Sequence, residues 1–100
     1  MPTLFGRRLG GDRMEIGRRL GTLLLSTIAE VKRFPDIAMS FKGDLFLKHK
    51  RSVIDATSLM GIFSLDLSEP IGLYAIADDD EINRLIAQIS KEGYNFEVTI

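Results

Sequence analysis

Ser52-Val53-Ile54-Asp55-Ala56-Thr57-Ser58-Leu59-Met60-Gly61-Ile62-Phe63-Ser64-Leu65-Asp66-Leu67-Ser68-Glu69-Pro70-Ile71 holds the densest structural information in this chain. Val53 and Ile54 close an extended segment. Asp55, Thr57 and Ser58 then offer side-chain oxygens to the N–H groups that a helix start leaves without carbonyl partners, and Leu59–Phe63 has room for only one or two turns. Ser58 reads as the N-cap. A phosphate on Ser58 would meet the positive end of the helix dipole and set about two negative charges beside Leu59, Met60, Ile62 and Phe63, enough to switch a contact surface. The plainer reading is a cap with core residues behind it, and it suits Leu59 and Ile62 best.

Downstream, Ile71-Gly72-Leu73-Tyr74-Ala75-Ile76 is apolar on both faces and predicts a strand inside a sheet. Asp78-Asp79-Asp80 predicts the cap of a last helix, whose stripe of Ile82, Leu85, Ile86 and Ile89 has helical spacing and whose end is marked by Gly93. The aspartates lack the further oxygen ligands of a calcium loop, so capping and solvation are the expected use. Tyr94–Ile100 alternates apolar and polar residues, the pattern of a half-buried strand.

Upstream, Ile16, Leu20, Leu23, Leu24, Ile28 and Val31 recur at three- and four-residue spacing and predict a first core helix ended by Pro35. Asp36–Lys42 alternates, with Ile37, Met39 and Phe41 on one side, and predicts a strand. Met1–Arg13 combines Pro2, Gly6, Gly10 and Gly11 with scattered arginines, which predicts a loose arm.

The 100 residues, 45% of them hydrophobic, suffice for one domain with a modest core. A net charge of -1 gives no electrostatic reason to expect nucleic acid or an anionic membrane as partner. Positive charge gathers in Arg7, Arg8, Arg13, Arg18 and Arg19 and again in Lys48–Arg51, and negative charge in Asp78–Glu81. The absence of cysteine rules out disulfides and thiolate chemistry and fits a cytoplasmic protein. No apolar run approaches the length that spans a bilayer. No catalytic dyad, phosphate-binding glycine loop or metal-ligand set points to a stand-alone enzyme, and no cofactor is expected.

The run Asp55–Leu65 resembles the (V/I)-(D/N)-x-K-S-(I/L)-M-G-(I/L)-x-S-L segment of HPr, the small phosphocarrier of the bacterial sugar phosphotransferase system. The strand, acidic turn and helix that follow agree in order, and the resemblance spans roughly residues 16–92. It implies an α+β fold, an open-faced β-sandwich whose antiparallel sheet carries two long helices and one short helix on one face. It also implies two phosphorylation chemistries. A histidine in a G-x-H-x-R-P motif opening the first helix takes phosphate from enzyme I and passes it to sugar-specific carriers. The serine of K-S-(I/L)-M-G is phosphorylated by a dedicated kinase. The serine maps onto Ser58, with Thr57 in place of the lysine. The stretch expected to open the first helix, Arg18–Leu24, holds neither histidine nor proline. His49, the chain's single histidine, sits in Lys48-His49-Lys50-Arg51, where cations would attract a phosphoryl donor and neutral imidazole is a competent nucleophile. Its place before the serine motif makes a solvated turn histidine the plainer reading.

These readings divide the chain into an arm (1–13), an HPr-like domain (14–93) and an additional C-terminal strand (94–100). Relative to the family, Leu45–His49 lengthens the connection into the serine motif, and the strand preceding the first helix has no counterpart in Met1–Arg13. Tyr94–Ile100 would cover the sheet edge so exposed, in its own chain or in a homodimer by exchange. The function expected is a regulatory or protein-interaction role in the phosphotransferase system. Its partners would be system components, an HPr kinase or a transcriptional regulator, with Ser58 modified and Leu59, Met60, Ile62 and Phe63 as the contact. The alternatives are a phosphocarrier using His49 and a structural or oligomerising module.

Overall fold

The computed structural model describes residues 8–9, 13–14 and 16–99. Two short strands, β1 (Arg8–Leu9) and β2 (Arg13–Met14), pair antiparallel by themselves. The arm expected over residues 1–13 otherwise lies outside the described residues.

The main body runs β3 (Arg18–Leu24), α1 (Ile28–Ser40), β4 (Asp44–His49), β5 (Ser52–Asp55), α2 (Leu59–Phe63), β6 (Ile71–Ile76), α3 (Asp79–Lys91) and β7 (Asn95–Val98). Its five strands lie in the order β5-β4-β6-β3-β7, and every neighbouring pair is antiparallel. β6 is the middle strand, as its apolar character on both faces requires. Leu23, Leu45, Leu47, Ile71 and Leu73 join Phe34 and Ile37 of α1, Ile62 of α2 and Ile82, Leu85 and Ile89 of α3 in one core. Each such side chain removed from water contributes about 1.5–3 kcal/mol, offset by the entropy of ordering it. The result is an open-faced α+β sandwich with two long helices and one short one.

The structure corrects the sequence reading upstream of the serine motif. Arg18–Leu24, expected within a helix, is the strand β3. A bulge between Arg19 and Gly21 breaks the period of two, so Leu20 and Leu23, three residues apart, are both fully buried and imitate helical spacing. β3 is therefore the strand that precedes the first helix, the element expected to be missing.

The helix starts ten residues later than the arginines suggest. Thr27 is its N-cap, its Oγ1 accepting from the Glu30 N–H at 3.1 Å, while Glu30 Oε1 accepts from the Ser26 N–H at 2.8 Å. Pro35 lies inside α1, costing one backbone hydrogen bond without ending the helix. Asp36–Lys42 is thus no strand: in its helical part Ile37 and Ala38 face the core, and Met39 is 68% exposed.

Leu45–His49, expected as an insertion, is the inner strand β4, and Lys50 at φ 56° turns it tightly into β5. At the other end of the chain, β7 pairs with β3 of its own chain, from Asn95 opposite Leu24 to Val98 opposite Gly21. The contact is close. A Cβ on Gly21 would lie 2.2 Å from the Glu97 carbonyl oxygen and 2.7 Å from the Phe96 ring, so only glycine lets β7 approach.

Candidate site at the start of the short helix

β5 ends at Asp55, and the chain turns through a ladder of local hydrogen bonds. The Ala56 N–H still reaches across to Leu45 O at 2.9 Å, fixing the turn to β4. Asp55 Oδ1 accepts from the Thr57 N–H at 2.9 Å and from its hydroxyl at 2.7 Å, and the Ser58 N–H donates to Asp55 O at 3.0 Å. Ser58 Oγ then accepts from the Gly61 N–H at 3.0 Å, the N-cap expected from the sequence. Gly61 is small for a reason: a Cβ there would lie 3.1 Å from Ser58 Oγ and 3.2 Å from Ile54 Cβ. The helix closes with the Ser64 hydroxyl donating to Gly61 O at 2.6 Å.

This geometry sorts the residues named from the sequence. Ser58 and Thr57 are exposed. Ile62 is fully buried and has no surface to offer a partner; Leu59 is half-buried against the core. Met60 is 79% exposed and Phe63 43%. Ile28, at the start of α1, which packs on α2, is exposed as well. The accessible apolar surface following Ser58 is therefore Met60 and Phe63, with the exposed edge of Leu59.

The segment opening the first helix is Leu25-Ser26-Thr27-Ile28, not Arg18–Leu24, and it too contains no histidine. One of its N–H groups already has an anion, since the Glu30 carboxylate accepts from the Ser26 N–H. The T-x-x-E spacing of Thr27 and Glu30 was the sequence signal for this helix start.

His49 is not a solvated turn residue. Its side chain is 12% exposed at the end of β4, and its Nε2 lies 2.6 Å from Glu69 Oε1, in the loop between α2 and β6. In the same loop Asp66 Oδ1 accepts from the Ser68 hydroxyl at 2.6 Å and its N–H at 3.1 Å, which holds the Asp66 carboxyl below the usual carboxylate range.

The acidic turn serves structure. Asp78 caps α3 by accepting from the Glu81 N–H at 2.9 Å, and Asp79 pairs with Arg18 at 3.1 Å. Glu81 is bound by Arg84 and accepts from the Lys42 N–H at 2.8 Å; the Arg84 contact, then the Lys42 one, holds its carboxyl below the ordinary value. Among the described residues no three His, Asp or Glu side chains are placed to share a metal ion, and no helix is long and apolar enough to cross a membrane. A cleft lined by Thr22, Leu24, Pro70, Asn95 and Glu97 encloses about 130 Å³, less than the roughly 300 Å³ at which small-molecule sites begin.

An antiparallel open sheet with three helices, its short helix capped by an exposed serine, defines the fold as HPr-like. A solved structure with this fold is HPr-C-His from Thermoanaerobacter tengcongensis, to which the chain is 24% identical with a TM-score of 0.54, over 79% of this chain and 88% of that one. No protein-family model matches the chain, and no curated protein sequence does.

Proposed function

We propose that this chain is a cytoplasmic protein-interaction domain related to the bacterial sugar phosphotransferase system, regulatory in role, in which phosphorylation of Ser58 replaces histidine phosphotransfer. The observation that carries the reading is the exposed, N-capping Ser58 immediately before Met60 and Phe63, of which Met60 is 79% exposed. Methionine adapts its shape to different partners and an aromatic ring supplies anchoring area, so this turn is a contact surface. A phosphate on Ser58 retains the capping acceptor and adds about two negative charges beside that surface, changing which partner binds. The partners are protein components of the system, an HPr kinase or a transcriptional regulator. A second reading, phosphate transfer through His49, is disfavoured by burial, since its side chain is only 12% exposed and Glu69 Oε1 holds its Nε2 at 2.6 Å.

The test is incubation with enzyme I and phosphoenolpyruvate, and separately with an HPr kinase and ATP, followed by intact mass and fragmentation. Phosphate from the kinase on Ser58, absent in Ser58→Ala, is the expected result. Acid-labile phosphate on His49, absent in His49→Ala, would restore a carrier and overturn the proposal. No phosphate from either donor would overturn it in favour of a structural module.

A further inference from the structure

We propose that Asp55 is the specificity-determining residue of the turn before α2: its carboxylate excludes a phosphoryl group from Thr57 and so confines modification to Ser58. The inference rests on the phosphorylation reading above and adds which hydroxyl takes the phosphate. Thr57 and Ser58 are adjacent and both exposed, so the turn offers two hydroxyls to one kinase.

Hydrogen bonding separates the two. The Thr57 hydroxyl donates to Asp55 Oδ1 at 2.7 Å, and the same carboxylate oxygen accepts from the Thr57 N–H at 2.9 Å. Ser58 meets Asp55 through the backbone, its N–H donating to Asp55 O at 3.0 Å. Its Oγ accepts from the Gly61 N–H at 3.0 Å, and among the described residues no acceptor takes its hydroxyl proton. A hydroxyl has one proton to give. That of Ser58 is free for a base, whereas that of Thr57 is already held by a carboxylate.

In the transfer, the γ-phosphoryl of ATP passes to the hydroxyl oxygen: the new O–P bond forms as the bond to ADP breaks, and the proton goes to the kinase's base. At Ser58 no hydrogen bond donated by Oγ is lost. At Thr57 the same step breaks the bond to Asp55 and leaves a phosphate on an oxygen 2.7 Å from a carboxylate oxygen, so like charges meet. Asp55 is half-buried, which limits the screening of that repulsion. Turning the Thr57 side chain outward relieves the repulsion but still forfeits the hydrogen bond.

The full chain and its Asp55→Ala and Asp55→Asn variants are incubated with an HPr kinase and ATP, and fragmentation apportions phosphate between residues 57 and 58. The wild type is expected to carry it on Ser58. In Asp55→Ala the Thr57 share rises about tenfold or more, the worth of a hydrogen bond to a charged group. In Asp55→Asn, which keeps the acceptor oxygen without the charge, it rises less, and this variant carries the comparison if Asp55→Ala does not fold. Equal shares on Thr57 and Ser58 in the wild type overturn the proposal. So does a folded Asp55→Ala variant still phosphorylated on Ser58 alone, or one that loses phosphate from Thr57, the result expected of a carboxylate that activates that hydroxyl.

A second measurement dispenses with the kinase. Phosphoserine is placed at position 57 or 58 by codon suppression, and thermal unfolding compares each with its unphosphorylated form, Thr57→Ser or the wild type. Phosphate at position 57 is expected to lower Tm, more than phosphate at position 58 does, and the excess disappears in the Asp55→Asn background. An equal Tm change at the two positions overturns the proposal. If this difference is present while the kinase leaves the wild type unmodified, the exclusion by Asp55 stands and the phosphorylation reading alone falls.

Discussion

Replacing Ser58 with alanine, aspartate or glycine separates its structural duty from any regulatory one. Its Oγ satisfies the Gly61 N–H at 3.0 Å, at the start of a helix whose one fully buried residue is Ile62. Removing an N-cap side chain costs about 1 kcal/mol, within a range of roughly 0.5–2. For a domain of this size that lowers Tm by about 4–8 °C. Ser58→Asp keeps an acceptor at the cap and adds the favourable sign of charge at the helix start, so its stability stays within about 0.5 kcal/mol of the wild type. Ser58→Gly loses only a few tenths of a kcal/mol, because glycine leaves the N–H open to water. The measurement is urea unfolding followed by circular dichroism, with Tm as the second readout. The order expected is wild type close to aspartate, then glycine, then alanine. An alanine variant as stable as the wild type, or an aspartate variant as unstable as alanine, would refute the capping geometry on which the phosphorylation reading depends.

Ile62→Ala, in a fully buried site, costs about 2–5 kcal/mol in the same urea assay. Gly21→Ala forces a methyl group toward the Glu97 carbonyl and the Phe96 ring, so amide exchange at Glu97 and Thr99 accelerates while β4 and β6 remain protected. Glu81, whose carboxyl is held below its ordinary value by Arg84 first and the Lys42 N–H second, stabilises the fold above the unfolded pKa of about 4.3. That stability is lost as pH falls through the lower folded value, so Glu81→Gln is less stable than the wild type at pH 6, and the difference narrows as unfolding is measured at successively lower pH below the unfolded value. Tyr94→Phe removes the phenol that donates to Glu30 O at 3.2 Å and lowers stability by about 1 kcal/mol.

The part of the fold legible in the sequence is the part whose signals are local. Ser58 caps a helix because its hydroxyl reaches an N–H three residues on; β6 reads as an inner strand because both of its faces are apolar; α3 shows its cap and its stripe in one window. The N-terminal half is illegible where a local irregularity overrides the period. One extra residue at the bulge put Leu20 and Leu23 on the same side of β3 and turned a two-residue repeat into an apparent helical one. Pro35, which reads as a stop in the sequence, sits within a helix begun by Thr27 and Glu30 and held by Val31, Phe34 and Ile37 against the sheet. The alternation in Asp36–Lys42 was real in sequence, but tertiary packing decided between helix and strand, leaving Met39 in solvent. At the site, burial of Ile62 and the contact of His49 with Glu69 depend on residues distant in the chain, which no short-range pattern encodes.

The two helix starts share one capping arrangement and differ in what lies behind the cap. At α1 the donors are consumed within the chain: Thr27 accepts from Glu30, and the Glu30 carboxylate accepts from Ser26, so an anion already occupies the place where the family resemblance would seat a phosphoryl acceptor. A phosphate added there would face Glu30 at close range without a histidine to carry it. At α2 the cap is a neutral hydroxyl on an exposed residue, and no acidic residue follows in its first turn. The Asp55 carboxylate accepts from the Thr57 N–H at 2.9 Å, as Glu30 accepts from Ser26 at α1, so a charge introduced at Ser58 strengthens the capping acceptor beside a carboxylate already in place. What sets α2 apart is the exposed Met60 and Phe63 behind its cap, the surface on which the proposed role of Ser58 rests.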